Sequence, residues 1–464
     1  MSVQSSPAVQ VPTDALRSAI QGRIITPADR DYDEQRGVMY GGFDRRPGVI
    51  VRVANSDDVA RVIRVARETG IELAVRGGGH SNAGHSTTDG GIVLDVRDLR
   101  TLDIDVKART ASAGAGLTAA DVTTALAEHG LAIGFGDTGS VGIGGITLGG
   151  GVGYLVRKHG LTIDNLIAVE IVTADGELQR ADAETNPELF WALRGGGGNF
   201  GVATRFQYRL QPLPGIVGGM LFLPATADTV AGFIAAADAA PEALSAIANV
   251  MPAPPMPFLS EADVGRMTIF GLFVYAGDAD AGERAIAPFR ALGTPLSDMV
   301  RPMSYPEIFM PEDESYHPTA VGRMMFVDRI DRPVAETIMV YLEASDASLR
   351  VAQLRVLGGA MARVPADDTA FAHRASRILV NVAAFYDGAE DKPVREAWVT
   401  DFAAALYQGD DGAYVNFLED EGEARVRAAY PGSTWDRLVA IKARYDPTNL
   451  FRLNQNIPPP GAGT

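Results

Sequence analysis

The stretch LAVRGGGHSNAGHSTTDGGIVLDV, residues 73–96, sets three consecutive glycines against a histidine and closes the loop between two apolar, strand-like runs. Glycine presents no side chain to a ligand and reaches backbone angles closed to other residues, so consecutive amides on such a loop can converge on an anion. Upstream, the apolar run at 49–53 reads as a strand. A helix follows, with Ser56 as its expected cap, Asp57 and Asp58 at its positive end, and Val59, Val62, Ile63 and Ala66 on one face. Gly70 should stop it. Downstream, GIVLDV at 91–96 is a further strand, LDIDVKARTASAGAG at 102–116 reads as a hairpin, and 118–129 reads as a helix ended by Gly130.

Two more glycine-dense stretches follow, GDTGSVGIGGITLGGGVGYLVRKHG at 136–160 and RGGGGNFGV at 194–202. The second lies between a short helix, NPELFWAL, and an alternating strand, VATRFQYRL. Three such loops suit a large ligand with a pyrophosphate; three tight turns are the competing reading. The run GIGGITLGGGVG holds a loose G-x-G-x-x-G, but no clean strand, loop and helix surround it, which argues against a Rossmann site. No glycine run is followed by GK[ST], so a Walker loop is absent.

A chain of 464 residues exceeds one ordinary core, and two domains are expected. From about residue 212 the glycine clusters give way to Ala-rich helical patterns and to strands such as MTIFGLFVYAG and ILVNVAAFY. Residues 212–408 therefore read as a second α+β domain, and 409–464 as a return to the first. A net charge of −17 argues against non-specific binding to nucleic acid. The chain has no cysteine, which excludes disulfides, thiolate nucleophiles and Cys-based metal sites. The opening residues lack a basic segment followed by an apolar one, and no apolar run is long enough to span a membrane. The expected location is cytoplasmic, with neither a membrane nor a nucleic acid as partner.

Taken together, VRGGGHS, GGIVLDVRDL, GSVGIGGITLGGGVGYLVRKHGLTIDNLIAVEIVTADG, NPELFWALRGGGGNFGV and RYDPTNLFRLNQNI resemble the berberine-bridge-enzyme-like FAD-linked oxidases of the vanillyl-alcohol-oxidase and p-cresol-methylhydroxylase (PCMH) flavin fold. The likeness runs over nearly the whole chain and is nearest to the bacterial members, which include the 6-hydroxynicotine oxidase type and antibiotic-tailoring oxidases. It implies a two-domain α+β architecture. An FAD-binding domain would span 1–211, its PCMH-type core about 45–211, with an inserted substrate domain of antiparallel sheet backed by helices at 212–408. A berberine-bridge-type segment would occupy 409–464.

In that family the histidine ending the R-x-G-G-H pattern is bonded to the flavin ring, and here the matching position is His80. The resemblance then implies that the backbone amides of Arg76, Gly77, Gly78, Gly79 and Ser81 wrap the FAD pyrophosphate, with His85 a loop-packing residue close to the flavin. Nothing near His85 supplies the further ligands of a metal site. Many relatives carry a second tether from a cysteine in C-P-x-V-G; TGSVG here puts Thr138 in its place, so one tether is implied. Ser140, Val141, Gly142, Gly144, Gly145 and the run Gly149, Gly150 to Gly153 would follow the ribityl chain and pyrophosphate, Val141 beside the face where oxygen arrives. Ile171 or its strand neighbours would take the adenine side.

In the tail, GAYVNFLED resembles the family's Y-x-N-Y segment beside the reactive edge of the flavin; Tyr414 and Asn416 match it and Phe417 replaces the second tyrosine. Tyr414 is the economical candidate base, with Asn416 its neighbour. Tyr305, His317, His373 and Tyr386 are further pocket candidates for which packing is the competing reading. Asn454 matches the closing motif that packs on the flavin domain. The implied reaction takes hydride from a carbon bearing a hydroxyl or amine of a small-molecule substrate, and molecular oxygen reoxidises the flavin with release of hydrogen peroxide. A tailoring oxidase that forms a bond or ring, and a flavin-binding module without turnover, are the alternatives.

Overall fold

The computed structural model describes residues 11–313 and 315–461. Residues 1–10, part of the stretch that carries no export-signal pattern, lie outside them. Around the opening loop, a four-stranded sheet runs in the order Arg23–Ile25, Val49–Arg52, Ile92–Asp95, Leu73–Arg76. The last three strands are parallel, and the helix Ser56–Thr69 crosses between two of them. Its buried face is Val59, Val62, Ile63 and Ala66, as the periodicity predicts, and Gly70 ends it at φ 69°. The cap is Asn55, not Ser56. Asn55 has extended backbone angles and its side chain accepts from the Asp58 amide, whereas Ser56 is already inside the first turn.

A second, antiparallel sheet joins Leu102–Asp105, Thr110–Gly114, Val202–Arg209, Leu166–Val172 and Leu178–Asp182 in that order. The predicted hairpin and the strand after the third glycine loop both lie in it. Thr118 caps the helix Ala119–Ala127 in a reciprocal pair with Asp121.

Residues 216–385 supply a separate eight-stranded antiparallel sheet. The helices Ala227–Ala239, Ala279–Arg290, Arg332–Ala344 and Lys392–Leu406 back it, and their apolar faces share one core with Leu221, Val250, Phe273, Leu354 and Val380. The molecule is thus a two-domain α+β fold of the expected kind. The tail packs into the core of the two smaller sheets through Tyr414, Tyr430, Trp435, Leu438 and Ile457. Lys442, fully buried, anchors it by donating to Asp446 and to the carbonyls of Asn199 and Phe451. No helix among the described residues is long and apolar enough to cross a membrane.

Candidate functional site

One cavity of about 480 Å³ lies where the three glycine loops, the tail and the face of the large sheet meet. The first loop contributes Gly77, Gly78, Gly79, His80 and Ser81, and the chain beyond it contributes His85. The second contributes Thr138, Val141, Gly142, Gly144 and Gly145, and the tail contributes Tyr414, Asn416 and Asn454. A Cβ on Gly78 would lie 2.3 Å from the Gly142 nitrogen, so the two loops cross in backbone contact there. A Cβ on Gly77 or Gly145 would meet nothing within 4 Å, leaving those faces open to the cavity.

Several predicted residues stand elsewhere. The guanidinium of Arg76 is turned away from the wall and braces the carbonyls of Gln35, Arg36 and Ser86. Burial lowers it to about 10. Ile171 is fully buried behind Gly201, whose added Cβ would strike its side chain at 2.8 Å; Gly201, Val202 and Ala203 form the wall there instead. Gly149, Gly150 and Gly153 also lie behind the wall. Their missing side chains make room for protein: a Cβ would stand 2.0 Å from Asn416 Oδ1 at Gly149, 3.0 Å from Phe371 at Gly150 and 2.4 Å from the Gly136 nitrogen at Gly153. Ser140 lies off the wall, with its Oγ 2.9 Å from His80 Nε2. Tyr305, His317, His373 and Tyr386 are not among the lining residues.

Tyr414 reaches the second loop from below. Its hydroxyl oxygen accepts from the amides of Gly151 (3.0 Å) and Val152 (3.1 Å) and from Asn416 Nδ2 (2.8 Å). Burial raises the phenol above its ordinary range, so at neutral pH it keeps its proton. Asn416 also donates to the Ile146 carbonyl. The pair therefore fixes the backbone of the second loop.

The third loop and the large sheet supply wall residues that the sequence reading did not assign. Gly197, Gly198 and Asn199 come from RGGGGNFGV, and Asn199 holds the tail by donating to the Gln455 carbonyl and accepting from the Ile457 amide. Gln353, Arg355 and Asn381 project from neighbouring strands, with Gln353 opposite Asn381 in the ladder. Arg355 bonds Asp137 and Gln353 and sits 5.2 Å above the Phe417 ring. Asp137 is the one carboxylate lining the cavity among the described residues.

The wall is prepared for a polar ligand. His85 Nε2, Arg355 Nη1 and Asn454 Oδ1 are buried without a hydrogen-bond partner in the protein, although buried polar atoms normally find one. Burial pushes His85 down to about 4 and lowers His80 from its ordinary value, against the opposing pull of Glu312. Both imidazoles are neutral at neutral pH. Open glycine backbone, orphaned polar atoms and a neutral imidazole fit a large polar cofactor with an anionic segment.

Comparison with known proteins agrees. A family model described as FAD binding domain matches residues 47–182, and one described as berberine and berberine like matches 413–458. The chain is 32% identical over 460 residues to (R)-6-hydroxynicotine oxidase of Paenarthrobacter nicotinovorans, covering 96% of this chain and 98% of that protein. It is 32% identical to an uncharacterised FAD-linked oxidoreductase of Bacillus subtilis strain 168, over 95% of this chain and 98% of the other. Among solved structures, 6-hydroxy-D-nicotine oxidase from Arthrobacter nicotinovorans superposes with a TM-score of 0.84 at 29% identity, covering 94% of this chain and 98% of that one. A chitooligosaccharide oxidase shares the fold, with a TM-score of 0.83 at 21% identity over 96% and 99% of the two chains. With the FAD-binding and berberine-like segments framing one cavity, the chain belongs to the berberine-bridge-enzyme-like family of FAD-linked oxidoreductases.

Proposed function

We propose that the protein is an oxidase whose FAD is bonded to His80, that it takes hydride from a carbon bearing a hydroxyl or amine, and that it passes the electrons to molecular oxygen with release of hydrogen peroxide. The observation that carries this reading is a single wall holding His80 beside two crossing glycine loops, in a chain that has no cysteine for a second tether. FAD supplies the redox chemistry when bound; the chain supplies position and proton handling.

In this reading Gly77, Gly78, Gly79, Ser81, Gly142, Gly144 and Gly145 hold the pyrophosphate and ribityl chain, and Gly197, Gly198 and Asn199 take the far end. Residues 1–211 with 409–464 form the flavin unit, and 212–408 cover it with the substrate side. Tyr414 and Asn416 keep the second loop in place under the reacting edge. Gln353, Arg355 and Asn381 orient a small-molecule substrate from the opposite wall, and Asp137 accepts the proton that leaves its hydroxyl or amine.

The test is a screen of alcohols, sugars and amines, 6-hydroxynicotine and chitooligosaccharides included, for peroxide release in air. A substrate that reduces the flavin and yields peroxide stoichiometrically supports the reading. A flavin that every compound leaves oxidised, or that air does not reoxidise after dithionite, contradicts it.

A further inference from the structure

His80, Ser140 and Glu312 form a chain of contacts leading from the cavity wall to solvent. Ser140 Oγ lies 2.9 Å from His80 Nε2 and contacts Glu312 Oε2, and the Ser140 amide donates to Glu312 Oε1 at 3.0 Å. The carboxylate thus grips Ser140 at two points, while Glu312 itself is exposed.

The hydrogens follow from the chemistry of the partners. An ionised carboxylate only accepts, so the Ser140 hydroxyl must donate to Glu312. Its oxygen is then left to accept, and the neutral His80 ring must carry its proton on Nε2. Nδ1 keeps a free lone pair and makes no hydrogen bond among the described residues. Burial lowers the imidazole's pKa against the opposing pull of Glu312, so the ring is neutral and nucleophilic at neutral pH.

We propose that Ser140 and Glu312 are positioning residues for the formation of the flavin tether, fixing the Nε2–H tautomer of His80 and carrying that proton away once Nδ1 has bonded. The proposal rests on the covalent attachment put forward above. In the step, one C–N bond forms between Nδ1 and a methyl carbon of the flavin. One C–H bond of that methyl breaks, its proton leaving to solvent and its electron pair staying on the ring system, and the Nε2–H bond breaks, the Nε2 proton passing through Ser140 to Glu312 and thence to solvent. Two electrons remain on the flavin, which is left reduced, and molecular oxygen takes them with two protons to give hydrogen peroxide and the oxidised, tethered ring.

This arrangement explains why an exposed glutamate more than two hundred residues downstream of His80 is held against the second glycine loop. It also gives Ser140, which the sequence places among ligand contacts, a different duty.

The test uses the full chain produced without flavin and then supplied with FAD in air. Tether formation is followed by fluorescence retained on a denaturing gel, and reversible FAD affinity is measured separately. Ser140→Ala and Glu312→Gln should form the tether about a hundredfold more slowly at neutral pH while binding FAD as tightly as the parent. Their rates should climb with pH as solvent base takes over. Glu312→Asp, which keeps the carboxylate, should recover to within about tenfold of the parent. Parent-like rates in Ser140→Ala and Glu312→Gln, or a Glu312→Asp rate no faster than Glu312→Gln, overturn the relay while leaving the tether standing. A parent chain that releases all its flavin on denaturation overturns the tether and the relay with it.

Discussion

A methyl group built on Gly78 would stand 2.3 Å from the amide nitrogen of Gly142. Backbone meets backbone at this crossing, and neither side has a flexible end that can move aside. The neighbouring Gly77 is the converse, because a Cβ there would meet nothing within 4 Å and would project from the cavity wall.

The two glycines should therefore separate stability from cofactor binding. Gly78→Ala should cost about 1–3 kcal/mol of unfolding free energy through overpacking. Gly77→Ala should leave the unfolding midpoint of the flavin-free chain near the parent's and reduce flavin content instead. Urea denaturation with flavin absorbance of the purified proteins distinguishes them; equal stability losses would show that Gly77 is not a cofactor contact.

Tyr414→Phe removes one oxygen that satisfies two buried amides and the Asn416 side chain. An unpaired buried donor costs about 1–3 kcal/mol, so the variant should unfold at clearly lower urea. Because burial holds the phenol protonated, substrate oxidation should fall in step with the loosened loop and keep the parent's pH profile. A fully stable Tyr414→Phe that has lost oxidation would assign the phenol to proton transfer instead.

Glu419 and His85 pull the pH dependence of stability in opposite directions. Burial pushes the Glu419 carboxyl from 4.5 up to about 7, although the Gly322 amide favours its charged form. Between these values the folded chain holds a proton that the unfolded chain has lost, so this contribution falls as pH rises. Burial pushes His85 from 6.5 down to about 4; there the unfolded chain binds the extra proton, and stability is lost as pH falls. Glu419→Gln should match the parent's melting temperature near pH 4.5 and exceed it progressively toward pH 7. Melts at stepped pH check this, and a constant offset would contradict it.

What the sequence made legible follows contiguity. The first loop, its flanking strands and the helix Ser56–Thr69 lie in one unbroken stretch, and glycine and apolar spacing specify them locally, with the cap one residue earlier than expected, at Asn55. Gln353, Arg355 and Asn381 share a wall only because two strands pair in one register, which no local pattern reports. Ile171 and Gly201 show the same limit. The resemblance puts Ile171 or its strand neighbours on the adenine side, but the sheet turns Ile171 itself inward and Gly201 takes the surface. Gly149, Gly150 and Gly153 carried a true signal, close approach, whose partner proved to be the tail's Asn416 and other protein groups in place of a ligand. Asp137 lies within GDTGS, but only the fold sets Arg355 against it.

The central claim, a flavin bonded through His80, is tested most directly by denaturing electrophoresis of the parent and of His80→Ala under ultraviolet light. The parent band should fluoresce, and His80→Ala should bind FAD reversibly but run dark. Fluorescence persisting in His80→Ala, or a parent that releases its flavin on denaturation, would contradict the assignment.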